Sequence, residues 1–135
     1  MTIERLNPAG LYDPSPNGYS HIAQVHGASR LVFIAGQGGE DRSGILPPRT
    51  EDQIQNAFNN LSIALQSVGA EPHQVVRLTT YLVGYNGQLH QPLTRIIKRM
   101  FGPYLPTQTL VPVPRLALEG MLFEVDAIAV LPNAS

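Results

Sequence analysis

The spacing of apolar and polar positions changes repeatedly along the chain, and each change marks an element. Residues 19–26 (YSHIAQVH) alternate, which puts Tyr19, His21, Ala23 and Val25 on one face of a strand. Residues 30–35 (RLVFIA) form a continuous apolar run, as in a strand buried on both faces. With Gly27-Ala28-Ser29 as the turn, the two stretches predict a β-hairpin. A loop over 36–49 follows, punctuated by Gly36, Gly38, Gly39, Gly44, Pro47 and Pro48. The period then becomes helical. Ile54, Ala57, Phe58, Leu61, Ala64, Leu65 and Val68 fall on one stripe, with Gln55, Asn59, Ser62 and Gln66 opposite. Thr50 and Gln53 spell a capping box at the start of this helix, and Gly69 stands where a left-handed residue ends one.

Residues 74–83 (QVVRLTTYLV) are rich in β-branched side chains and predict a further strand. A second helix is predicted over 91–101, with Pro92 in its first turn and Leu93, Ile96, Ile97, Met100 and Phe101 as its stripe. Gly102-Pro103 stops it. The strand at 107–113 contains Pro112 and is followed by Pro114, so it belongs at a sheet edge or at a bulge. The last strand, 121–131, is apolar except for Glu124 and Asp126. Residues 1–18, rich in proline and glycine from position 7, read as an ordered loop leading into one α+β domain spanning 1–135.

The resulting order is β-β-α-β-α-β-β, with two helices on one face of a sheet of four or five strands. No third helix covers the other face, which also carries apolar residues from 31–34 and 121–131. Composition sharpens this point. Hydrophobic residues make up 43% of the chain and charged residues only 14%, against roughly 25% in ordinary soluble domains. A covered surface in an oligomer packed sheet against sheet explains both features.

Net charge is −1 and no Lys/Arg run occurs, which gives nucleic-acid binding no support. Cysteine is absent, so disulfides, thiolate nucleophiles and zinc–cysteine sites are excluded. The first residues lack the features of a secretory signal, and no apolar run approaches the ~18 residues of a membrane span. The expected location is the cytoplasm. His21, His26, His73 and His90 show no metal-ligand spacing. The run Gly36-Gln37-Gly38-Gly39-Glu40-Asp41 fails the dinucleotide pattern and reads as a turn leaving a strand.

Glu124 and Asp126 are the most informative polar residues, two apart and therefore on one face of an apolar strand. Two readings stay open from spacing alone. One is an acid paired with Arg77 or Arg115; the other is a carboxyl of raised pKa able to act as acid or base, or to hold a water.

Tyr19, the run Val32-Phe33-Ile34-Ala35-Gly36-Gln37, the run Val76-Arg77-Leu78-Thr79-Thr80-Tyr81, Asn86 and the closing run from Phe123 to Val130 together resemble the RidA/YjgF family. Its members are also labelled reactive intermediate deaminases or endoribonuclease L-PSP. The resemblance implies a chorismate-mutase-like homotrimer whose mixed sheets pack as a central barrel, with a small-molecule cleft at each subunit interface. It implies hydrolysis of amino-acid imines and enamines without metal or cofactor. By the same resemblance Glu124 is the catalytic glutamate that positions water, and Tyr19, Gly36 and Asn86 line the substrate pocket. Gln108 stands where the family has a carboxylate-binding arginine, and Leu110 where it has a small residue or cysteine. An uncharged amide there favours a neutral ligand, so deamination of ordinary amino-acid imines should be weak or absent. The alternative is a non-catalytic trimeric binding or sensor protein. The ribonuclease label finds no basic groove and no paired catalytic histidines.

Overall fold

The computed structural model describes residues 1–133. Its elements are β1 (Thr2–Leu6), β2 (Ile22–His26), β3 (Ser29–Gly38), α1 (Thr50–Ser67), β4 (Val75–Val83), α2 (Gly87–Phe101), β5 (Thr107–Val113) and β6 (Phe123–Pro132). Four strands form one mixed sheet in the order β3-β6-β4-β5, with β6 antiparallel to both neighbours and β5 parallel to β4. Strand β5 lies at the edge, as Pro112 and Pro114 require.

Both helices cover one face of this sheet. Ile54, Ala57, Phe58, Leu61 and Leu65 of α1, and Leu93, Ile97 and Phe101 of α2, are buried against Leu78, Leu82, Phe123, Val125 and Ala127. The Phe58 and Phe123 rings meet at a centroid distance of 5.8 Å. Because strand side chains alternate, burial of the odd residues of β6 turns Glu124, Asp126 and Ile128 to the opposite, open face.

Four expectations are corrected. The loop expected over 1–18 includes a strand, β1, which pairs with β2 in a separate two-stranded sheet. The hairpin between 19–26 and 30–35 therefore does not form. The short alternating β2 matches the equally alternating β1, whereas the apolar β3 finds a longer apolar partner in β6. Strand β3 is not buried on both faces. Val32 and Ile34 pack toward the core, while Leu31 and Phe33 stand 60% and 70% exposed on the open face. It also runs on through Gly38, with a bulge between Ile34 and Gln37, where a loop was expected from Gly36.

Helix ends differ in detail as well. Gly69 adopts φ +73, and the N–H groups of Ala70 and Gly69 donate to the carbonyls of Leu65 (2.9 Å) and Gln66 (3.1 Å), a Schellman closure. The capping box does not form, because Gln53 is wholly buried and committed elsewhere. Helix α2 begins at Gly87, so Pro92 lies in its second turn rather than its first. The carbonyl deprived of a donor there belongs to exposed Gln88, which water can satisfy.

The Gln53 amide ties three segments together. Its Nε2 donates to the Pro47 and Gly120 carbonyls at 2.8 and 2.9 Å, and its Oε1 accepts from the Leu122 N–H at 2.8 Å. This fixes the approach to β6 and with it the position of Glu124. A second clamp holds the N-terminal strand. The Arg5 guanidinium donates to the carbonyls of Leu105, His73 and Val75 and lies 5.7 Å from the Tyr104 ring centroid.

Truncating Gln53 leaves a cavity and three unpaired backbone groups. Gln53→Ala is expected to lower unfolding stability by about 3 kcal/mol in urea titration, while Gln55→Ala on the exposed side of α1 changes it by less than about 0.5 kcal/mol.

Candidate active site

The carboxylates of β6 occupy the open face beside the exit of β3. Glu124 lies opposite Gly38 on one side and Tyr81 on the other. Its side chain folds over Gly36, where an added Cβ would overlap the carboxyl group and push Glu124 out of this position. Helix α1 holds the β3 exit in place from behind. Asn60 Nδ2 donates to the carbonyls of Gly38 and Glu40, both at 2.9 Å, and Asn56 Nδ2 to that of Gly39 at 3.2 Å. A Cβ on Gly39 would come within 2.5 Å of the Gln53 Cα, so the strand exit rests directly on the helix backbone.

Electrostatics at this point make the Glu124 carboxyl a weaker acid than usual. Burial pushes the Glu124 pKa up from its ordinary range, and the negative charges of Glu40 and Asp126 push it further. Asp126 accepts a hydrogen bond from the Tyr81 hydroxyl at 3.1 Å. The Tyr81 pKa is raised by burial first, then by that bond and the neighbouring carboxylates. The paired-acid alternative is not what the molecule adopts. Arg77 donates to Thr109 Oγ1 at 2.8 Å, and Arg115 lies in the loop before β6. Neither ion pair found among the described residues involves Glu124.

Tyr19, Gln108 and Leu110 meet elsewhere, in a cavity of about 360 Å³ between β5 and the start of α2. Gln108 lies opposite Leu78 and therefore on the helix side of the sheet. Its Oε1 is buried without a hydrogen-bond partner. Tyr19 precedes β2 rather than opening it, and its ring meets that of His21 edge-on at 5.7 Å. Asn86 does not line the cavity. It caps α2, its Oδ1 accepting from the Gln88 N–H at 2.8 Å.

Three lining residues escaped sequence reading. His90 Nε2 is 3.1 Å from Asn17 Oδ1, and His90 Nδ1 is 3.5 Å from the Tyr85 hydroxyl, a long contact. The available signal was position: His90 falls one helical turn after Asn86, and Tyr85 immediately before it. The candidate residues thus form two groups on opposite faces of the sheet in one chain. Glu124 with Gly36 occupies the open face, and Tyr19 with Gln108 and Leu110 the helix side.

Two helices on one face of a four-stranded mixed sheet, with a perturbed carboxyl on the other, define the α+β class to which the RidA/YjgF proteins belong. The chain is a member of that family: residues 13–131 match the Endoribonuclease L-PSP family. The RutC family protein YjgH of Escherichia coli is 29% identical over 103 residues, covering 76% of this chain and 77% of that protein. A 2-iminobutanoate/2-iminopropanoate deaminase of Dermatophagoides farinae is 25% identical over 121 residues, covering 87% and 90%. The crystal structure of the Rid-family protein YyfB from Yersinia pestis, described as of unknown function, superposes with a TM-score of 0.91 at 30% identity, covering 97% and 100%. No helix among the described residues is long and apolar enough to cross a membrane.

The raised Glu124 pKa links pH to stability. The folded state favours the protonated acid, so its contribution is fully present below the ordinary glutamate range and is lost as pH rises through the raised value. Glu124→Gln cannot ionise. It is expected to melt at a higher temperature than the native chain near pH 7, with the difference shrinking toward about pH 4, as followed by thermal denaturation across pH.

Proposed function

We propose that the chain works as a homotrimer in which Glu124 of one subunit faces the Gln108 cavity of the next, and that the joined site hydrolyses a small imine, enamine or related compound that is uncharged at its reacting end. The observation that carries this reading is the Glu124 carboxyl, raised in pKa and seated over Gly36 on a sheet face left open in the single chain. The exposed Leu31 and Phe33, further along the same face, supply the apolar surface that a second copy would cover.

The chemistry follows from a carboxyl whose pKa is raised above the ordinary glutamate range by burial and by the charges of Glu40 and Asp126. As carboxylate, Glu124 takes a proton from water while the oxygen adds to the imine carbon, and returns it to the nitrogen to give a neutral carbinolamine. The carboxylate then takes the hydroxyl proton and passes it to the nitrogen as the C–N bond breaks, so that ammonia leaves a carbonyl product. Tyr81, held by Asp126, borders the carboxyl and helps fix its orientation. Gln108 replaces a guanidinium by a neutral amide, so the cavity offers no charge clamp for a substrate carboxylate. The deaminase activity named for the Dermatophagoides farinae relative is therefore expected here only weakly on carboxylate-bearing imines.

A second reading, a trimer that binds a metabolite without turning it over, is favoured by the same uncharged cavity. Ammonia release from freshly generated 2-aminoacrylate separates the two. Slow release is expected, about tenfold faster in Gln108→Arg and at least about 100-fold slower in Glu124→Gln. Rates equal to buffer for every variant and several imine precursors, with thermal stabilisation by a compound left intact, would establish binding alone. Phe33→Glu is expected to convert the assembly to monomers in light scattering; an unchanged mass would remove the sheet-to-sheet trimer from the proposal.

A further inference from the structure

The Gln108 cavity does not end at His90. Asn17, His90 and Thr94 also line a neighbouring and larger cavity of about 680 Å³ between the loop before β2 and the outer side of α2. The hydrogen bond between His90 and Asn17 marks the shared boundary. Gly18 makes this close approach of loop and helix possible. It adopts φ +81, and a Cβ there would press on Thr94 Cγ2 at 3.3 Å.

The two cavities differ in charge. Around Gln108 the lining is neutral apart from the titratable His90, and the buried Gln108 Oε1 lacks a donor. The larger cavity carries Arg95 and Lys98 and no acidic side chain. Neither cation has a carboxylate within 4.0 Å among the described residues. Arg95 also borders a groove containing Glu51 and Asp52, which Lys98 does not. Lys98 lies one turn beyond Thr94, about 6 Å along the helix axis.

We infer that the larger cavity is a second subsite, which receives an anionic group carried on the same ligand as an uncharged, amide-like head seated at Gln108. The Gln108 side chain lines the wall against which the head sits, and a carboxylate or phosphate answers Lys98 and Arg95. The ligand class is thus an amide, carbamoyl or imine compound with an anionic tail. This inference rests on reading the Gln108 cavity as a ligand pocket. It reconciles a neutral reaction site with an anionic metabolite, because the charge is bound outside the reacting centre.

Calorimetric titration with two probes of equal length, hexanamide and adipamate, tests the subsite. Adipamate is expected to bind about fivefold more tightly at low ionic strength. That advantage should vanish in the Arg95→Ala/Lys98→Ala variant and in about 0.5 M salt, while Gln108→Leu weakens both probes. The substituted cations are exposed on α2, and an unchanged melting temperature confirms that the variant folds. Equal affinity of the native protein for both probes overturns the anionic subsite and leaves the Gln108 pocket standing. Absence of binding by either probe overturns the pocket and the subsite together, whereas ammonia release reports on the catalytic reading independently.

Discussion

Everything in this molecule depends on β6 being paired along both edges while its two faces meet different surroundings. Its odd residues, Phe123, Val125, Ala127 and Ala129, are almost wholly withdrawn from water against the helices. The period of two then forces Glu124 and Asp126 to the other side, in the middle of the sheet and away from its solvated edges. A carboxyl is costly in such a place, and the protein has neither paired nor removed it. Partly desolvating Glu124 beside Glu40 and Asp126 raises its pKa above that of an ordinary glutamate.

The supporting parts serve that placement. Gln53 fixes the segment entering β6, and Asn56 and Asn60 fix the segment leaving β3, so Glu124 and the glycine beneath it are both set by α1. The amides of one helix thereby determine the geometry of a carboxyl on the far side of the sheet. None of these contacts involves a formal charge, which suits a chain so poor in charged residues.

The helices, the edge position of β5 and the open sheet face were legible in the sequence because each rests on local periodicity or on proline chemistry. Glu124 was legible for the same reason, as a polar interruption of an apolar strand. Strand partners were not. Nothing local distinguishes a β2–β3 hairpin from the observed β1–β2 and β3–β6 pairings, which join residues about twenty to one hundred positions apart. Gln53 was misread because the capping-box pattern is also compatible with a buried bracket, and only the arrival of residues 120–122 decides between them. Asn86 sat in the right neighbourhood with a different immediate task, capping α2, while His90 was passed over because its partner, Asn17, is distant in sequence.

The two clamps described above also set an order of events during synthesis. Arg5 has no carbonyls to grip until residues 73–105 exist, and β3 has no sheet partner until residues 123–132 do. The first third of the chain must therefore leave the ribosome with Leu31 and Phe33 uncovered and its strand edge unpaired. Closure of the sheet waits for β6, so loss of that strand removes the partner of two others at once, whereas loss of β5 would remove the partner of one.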